Sequence, residues 1–223
     1  MQYKAVLFDL DGTLLNTLQD IEDSTNAALV KAGFTAHPVE EYRCFVGEGM
    51  GNLALLALPE NARDPETVEK MMQLIEDEYA SHWTKHTHVY AGIPELLDAL
   101  SARKIKMAVF SNKPQQYTIA SVNKFLVKWK FDIVLGASEN IPRKPDPAGA
   151  FEISRQLGIT PEQFIYLGDT SLDMLTATAA GMYPVGALWG FRPAAEISSG
   201  GAKKLITRPI ELMQYFTADK KSD

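Results

Sequence analysis

Short apolar runs that stop abruptly at polar motifs constrain this chain more than any other feature. Ala5–Phe8 stops at Asp9, residues 107–110 stop at Ser111, and residues 164–167 stop at Gly168-Asp169. Similar runs lie at 133–135 and 184–188. Continuous apolar segments of this length, bounded by turn formers, suit strands buried on both faces of a parallel sheet. Helical patterns separate them. Ile93, Leu96, Leu97 and Leu100 follow the i, i+3, i+4, i+7 spacing, with Pro94 in a first turn. Ala150, Phe151, Ile153, Ser154 and Leu157 form a second stripe closed by Gly158, and Leu172, Leu175, Thr176 and Ala179 form a third closed by Gly181. Strand and helix alternating over 90–190 predict βαβ units and an α/β fold, a Rossmann-like parallel sheet.

Residues 16–88 break that rhythm. They show no convincing strand, and Val68, Met71, Met72, Ile75 and Tyr79 lie on one face of a long helix. An ordinary crossover needs only about a dozen residues, so the economical reading is an α-helical domain inserted after the first strand. The predicted division is a core of residues 1–15 and 89–217, a helical insert of 16–88 and a polar tail of 218–223. Hinges are expected near 13–17 and 84–92.

The bulk properties exclude some function classes. The net charge of -6 offers no broad basic face for nucleic acid. No apolar run approaches membrane-spanning length, and the first residues lack a secretory pattern. Cys44 is the only cysteine, so no intrachain disulfide can form. A cytoplasmic protein with no nucleic-acid or membrane partner is expected.

The chemistry gathers at the predicted strand ends. In Asp9-Leu10-Asp11-Gly12-Thr13, extended backbone sends both aspartates the same way. Two adjacent carboxylates need a cation or a shared proton, and ligands in open α/β folds bind at this edge of the sheet. Ser111-Asn112-Lys113 offers a hydroxyl, an amide and an ammonium to phosphate oxygens. In Arg143-Lys144-Pro145-Asp146-Pro147, two prolines stiffen the approach of a lysine. In Gly168-Asp169-Thr170-Ser171-Leu172-Asp173, the two acids stand one helical turn apart. Capping accounts for one acid there but not both. Asp9, Asp169 and Asp173 make an oxygen-rich site that suits a hard cation such as Mg²⁺. His82, His86 and His88 do not read as a metal site, because His88 would not share a helical face with the other two.

Together and in this order, these four motifs resemble the haloacid-dehalogenase-like hydrolase superfamily over residues 3–210. Asp9 to Thr13 resembles its first motif, Ser111 its second, Lys144 its third, and Asp169 with Asp173 its fourth. The insert resembles a C1 cap. Tyr90 to Leu97 and Trp189-Gly190-Phe191 resemble the phosphoglycolate-phosphatase-like branch. The resemblance implies a phosphomonoesterase working through an aspartyl phosphate, with phosphoglycolate as leading substrate. Asp9 would be the nucleophile and Asp11 the general acid and base. Ser111 and Lys144 would hold phosphate oxygens, with Thr13 and Asn112 beside them. Mg²⁺ would bind Asp9, Asp169 and the backbone carbonyl of Asp11, and Asp173 would orient Lys144. Arg43 and the turn Gly47-Glu48-Gly49 resemble a substrate-specificity loop, with Arg43 available to a substrate carboxylate. Sugar-phosphate mutase, pyrophosphatase and nucleotidase activities occur on the same scaffold, and a non-catalytic phosphate-binding module is the third alternative.

Overall fold

The computed structural model describes residues 3–216; the expected polar tail at 218–223 lies outside the described residues. In chain order the elements begin with β1 (Ala5–Phe8) and β2 (Leu15–Asn16). The helices α1 (Leu18–Lys31), α2 (Val39–Phe45), α3 (Met50–Ala57) and α4 (Pro65–His82) follow, and β3 (His88–Val89) closes the excursion. Next come α5 (Ile93–Ala102), β4 (Lys106–Pro114), α6 (Gln115–Phe125), β5 (Ile133–Ala137), α7 (Ala148–Leu157) and β6 (Phe164–Gly168). After β6 come α8 (Ser171–Ala180), β7 (Tyr183–Ala187), α9 (Ala194–Ser199) and β8 (Lys204–Ile206), and a 3₁₀ helix over Pro209–Phe216 ends the described chain.

Six strands form one parallel sheet in the order β5-β4-β1-β6-β7-β8. The chain leaves β1 toward β4 and β5, then returns to β6 on its other side. The strand order therefore reverses at β1, where open parallel sheets place their ligand crevice. β1 shows why the sheet is covered on both faces. Val6 and Phe8 pack with Ile93, Leu97 and Leu212, whereas Ala5 and Leu7 pack with Ala150, Ile153 and Ala177. Alternate residues of one apolar tetrapeptide thus serve two cores.

The four helices between β2 and β3 pack around a third cluster that includes Leu29, Tyr42, Leu53, Met71 and Ile75. Tyr117 of α6 and Phe191 after β7 join the same cluster, so it reaches down to the sheet's C-terminal edge. The expectation of no strand near this segment needs correcting at its margins. β2 and β3 pair antiparallel as a two-residue ribbon where the chain leaves and re-enters the sheet layer. Residues this few give no alternation to read. Asp20 fastens the same crossing: its carboxylate accepts from the His86 and Thr87 amides at 2.8 Å and from the Thr87 hydroxyl at 2.6 Å. Asp20 is buried, so removing these acceptors leaves donors unsatisfied, at a cost of about 1–3 kcal/mol.

The structure also changes the expected face of α8. Asp173, Met174, Thr176, Ala177 and Ala180 are buried, while Leu175 is 46% exposed. A reciprocal capping box between Thr170 and Asp173 sets the phase of the first turn. That phase aims Asp173 at the sheet edge and swings Leu175 outward. Phe151 of α7, placed in an apolar stripe by its spacing, is likewise 46% exposed. β8 is an additional strand at the sheet's edge. Among the described residues, no helix is long and apolar enough to cross a membrane.

Candidate active site

The C-terminal ends of β1, β4 and β6 lie side by side, because β1 pairs with both of the others. Asp9 follows β1 and Asp169 follows β6. Ser111 lies inside β4, which runs on as extended chain through Asn112 and Lys113. Carboxylate oxygens of Asp9, Asp169 and Asp173 lie within 4.8 Å of one another, and all three residues are buried. Lys144 Nζ stands among them, donating to Asp9 Oδ1 and Asp173 Oδ1 at 2.7 Å each. Asn112 fixes the backbone on both sides of this lysine, accepting from the Lys144 amide at 2.8 Å and donating to the Lys144 carbonyl at 3.3 Å.

Each acid has its own support. Thr13 Oγ1 donates to Asp169 Oδ1 at 2.9 Å, and the Phe191 amide donates to Oδ2 at 2.8 Å. Two glycines press against this carboxylate. A side chain on Gly12, whose φ is +87°, would come within 2.3 Å of it, and one on Gly190 would meet the Asp169 Cβ at the same distance. The Thr170 amide and hydroxyl occupy Asp173 Oδ2. Asp11 faces Lys113, whose Nζ lies 3.2 and 3.1 Å from its two oxygens and 2.7 Å from the Tyr79 hydroxyl.

The electrostatics are those of crowded, buried acids. Burial pushes Asp9 up to about 7, against the pull of Lys144 and with a further push from Asp173. Burial, then Asp9 and Asp173, hold Asp169 well above the usual carboxylate range. Burial opposes the charge on Lys144, yet Asp173 and Asp9 keep it above an ordinary lysine. Burial opposes the charge on Lys113 too, and Asp11 and Tyr79 outweigh it. Three close acids around one ammonium leave an excess of negative charge, which a hard divalent cation with oxygen ligands would balance. The donor set fits such an ion.

Over this floor the helical insert forms a wall. The cavity between them is lined on the core side by Asp9, Asp11, Ser111, Asn112, Lys113 and Lys144. Ile21, Val46, Met50, Leu53 and Ile75 line it from the insert, with Gly47 and Gly49 at the turn before α3. The Gly47 carbonyl accepts from Asn112 Nδ2 at 3.0 Å, joining this turn to the core.

A family model described as haloacid dehalogenase-like hydrolase matches residues 6–187. The chain belongs to that family. Among curated relatives, a phosphoglycolate phosphatase from Pseudomonas fluorescens (strain Pf0-1) is 31% identical over 203 residues, covering 87% of this chain and 74% of the relative. A phosphoglycolate phosphatase from Psychrobacter arcticus is 30% identical over 224 residues, covering 98% and 94%. A crystal structure from Lactobacillus delbrueckii subsp. bulgaricus, designated a candidate phosphoglycolate phosphatase, superposes with a TM-score of 0.91 at 28% identity. That match covers 98% of this chain and all of the other.

Not every residue expected at the substrate stands there. Arg43 is exposed and donates to the Gly190 carbonyl at 3.1 Å, outside the cavity lining. Its partner lies 147 residues along the chain, across the seam between insert and core. Arg192 reaches back over the same seam and donates to the carbonyls of Cys44 and Val46 at 3.1 and 3.0 Å. It thereby meets the negative end of α2. Glu48 is exposed and outside the lining, and Thr13 holds Asp169 instead. Sequence reasoning passed over the wall residues and Tyr79, because an apolar stripe reads as core whether it meets protein or a ligand.

Proposed function

We propose that this chain is a Mg²⁺-dependent phosphomonoesterase acting on a small phosphorylated metabolite through an aspartyl phosphate on Asp9. The arrangement carrying this reading is a buried carboxylate at the cavity floor, flanked by a fixed lysine and a second aspartate. Mg²⁺, held by the Asp9 and Asp169 side chains and the Asp11 backbone carbonyl, would offset the repulsion between carboxylate and phosphate dianion. Asp9 attacks phosphorus, forming an O–P bond as the ester O–P bond breaks. Asp11 gives its proton to the departing ester oxygen. A water then attacks the aspartyl phosphate and yields a proton to Asp11, and the Asp9 O–P bond breaks to release inorganic phosphate. Ser111 and Lys144 hold the non-bridging oxygens as charge shifts during both steps. Asp173 keeps Lys144 in place.

Phosphoglycolate is the leading substrate, supported by the names of the curated relatives. With Arg43 engaged at Gly190, the first turn of α3 becomes the better carboxylate donor. It begins at the cavity-lining Gly49 and Met50 and lacks a side-chain cap. The test is a panel of phosphoglycolate, sugar phosphates, nucleotides and pyrophosphate, assayed with and without Mg²⁺. The expected result is the highest kcat/KM for phosphoglycolate and none without the metal. Turnover after exhaustive chelation, or formation of a sugar bisphosphate in place of free phosphate, would displace this reading.

A further inference from the structure

Lys113 is buried between the sheet and the insert, and it is not the lysine of the third family motif. Its ammonium has three N–H donors. They face both carboxylate oxygens of Asp11 and the hydroxyl of Tyr79. No donor is left over for a phosphate oxygen, so its chemistry is directed at Asp11. Backbone geometry makes this possible: β4 continues beyond Phe110, and the extended chain carries Lys113 into the cavity lining. Tyr79 comes from α4, in the insert. Its ring sits edge-on to Tyr117 with centroids 5.1 Å apart, and Lys113 Nζ lies 4.9 Å from the Tyr79 ring centroid. One ammonium therefore joins the insert to the aspartate read above as the proton donor.

We propose that Lys113 is a positioning residue for Asp11, and that Tyr79 makes that positioning depend on closure of the insert. The proposal rests on the reading of Asp11 as general acid. Asp11 follows the strand end in a loop, where a carboxylate bonded at only one oxygen can turn about its χ angles. Contacts from one ammonium to both oxygens hold its plane. When α4 moves away, Lys113 loses one of its three partners and becomes free to take Asp11 with it. Proton transfer is then competent with the insert closed and slack with it open, which confines the reaction to the water-poor state.

The test compares leaving groups. p-Nitrophenolate departs without a proton, whereas the alkoxide of glycerol 1-phosphate, an alkyl phosphate with no carboxylate for a cation to bind, needs one. Lys113→Met keeps the stem and removes the charge. It should cut kcat/KM for glycerol 1-phosphate by about 30-fold, short of the roughly 10²–10⁴-fold of a general acid lost outright, because Asp11 itself remains. That loss should exceed the loss on p-nitrophenyl phosphate at least tenfold. Tyr79→Phe keeps the ring contacts and should show the same imbalance at about three- to fivefold. Equal losses on the two substrates would overturn the proposal, since a phosphate-binding or structural lysine affects both alike. Unchanged activity on both would overturn it as well. If Lys113→Met does not fold, Tyr79→Phe decides alone, and an absent imbalance there counts against the proposal. Asp11→Asn is the reference. If it too lacks the imbalance, the general-acid reading of Asp11 fails; if it shows the imbalance and the other two variants do not, only the inference about Lys113 and Tyr79 fails.

Discussion

The floor and the roof of the cavity are built on opposite principles. The floor comes from three strand ends of one sheet together with the loop before α7, and presents buried acids and two ammonium groups. The roof comes from α1, α3 and α4 and presents Ile21, Met50, Leu53 and Ile75. A rigid sheet suits chemistry that tolerates little misplacement, because the hydrogen bonds of neighbouring strands fix where each side chain leaves the backbone. An apolar wall on separate helices suits discrimination by shape, and it can shift without disturbing the charges below. On the proposed function, the difference gives bond-making to one region and choice of substrate to the other. Among the described residues the insert and the core meet at a few polar points: Asn112 with Gly47, Lys113 with Tyr79, Gln116 with Glu76, and the crossed pair of Arg43 and Arg192.

This contrast can be tested in order of expected effect. Asp9→Asn keeps shape and removes the proposed nucleophile, so kcat should fall on the order of 10⁴-fold or more on every substrate while the thermal midpoint stays near that of the parent. Preserved turnover would take the chemistry away from the floor. Next comes the metal. Saturating Mg²⁺ should raise the thermal midpoint by a few degrees, about what 1–2 kcal/mol of binding linkage gives a domain of this size, and Asp169→Asn should abolish the shift. A shift that survives in Asp169→Asn would place the ion elsewhere.

Roof variants should act more mildly and selectively. Leu53→Ala should change the ratio of kcat/KM between phosphoglycolate and a bulkier phosphomonoester by about tenfold, as removing methylenes from a pocket wall does. Inhibition by inorganic phosphate, which meets only the floor, should move less than twofold. If phosphate inhibition tracked the substrate ratio, floor and roof would not be separable. The smallest effect is expected from Arg43→Ala, about two- to fivefold and equal on phosphoglycolate and p-nitrophenyl phosphate, because an exposed hydrogen bond across the seam steadies closure without touching substrate. A loss confined to phosphoglycolate would return Arg43 to the carboxylate.

How much of this was legible in the sequence follows the same division. Asp9, Ser111, Asp169 and Lys144 could be found because apolar strands and paired prolines mark where the chain stops and turns. The signal is local, and the sheet brings local signals together. β8, at Lys204–Ile206, escaped because three residues at a sheet edge carry no pattern. The face of α8 was misjudged because polar partners of Asp173 set the phase against the leucine spacing. Arg43 next to a glycine-rich turn suggested a ligand, but its partner is a carbonyl far along the chain, and no spacing rule reports that. Tyr79 sat on the expected apolar stripe, and only its ring belonged there. Its hydroxyl meets a lysine on another element.

Phe191 carries a consequence for how such enzymes exchange parts. Its amide donates to Asp169, while its ring belongs to the hydrophobic cluster of the insert. Tyr117 and Arg192 are likewise core residues that face the insert. An insert moved between relatives as a cassette of residues 16–88 would therefore arrive without part of its own foundation. It would also lean on a loop that steadies a carboxylate of the host's floor. A working chimera would carry positions 117 and 189–192 along with the graft, so its natural unit of exchange is discontinuous, defined by contact and not by the order of the chain.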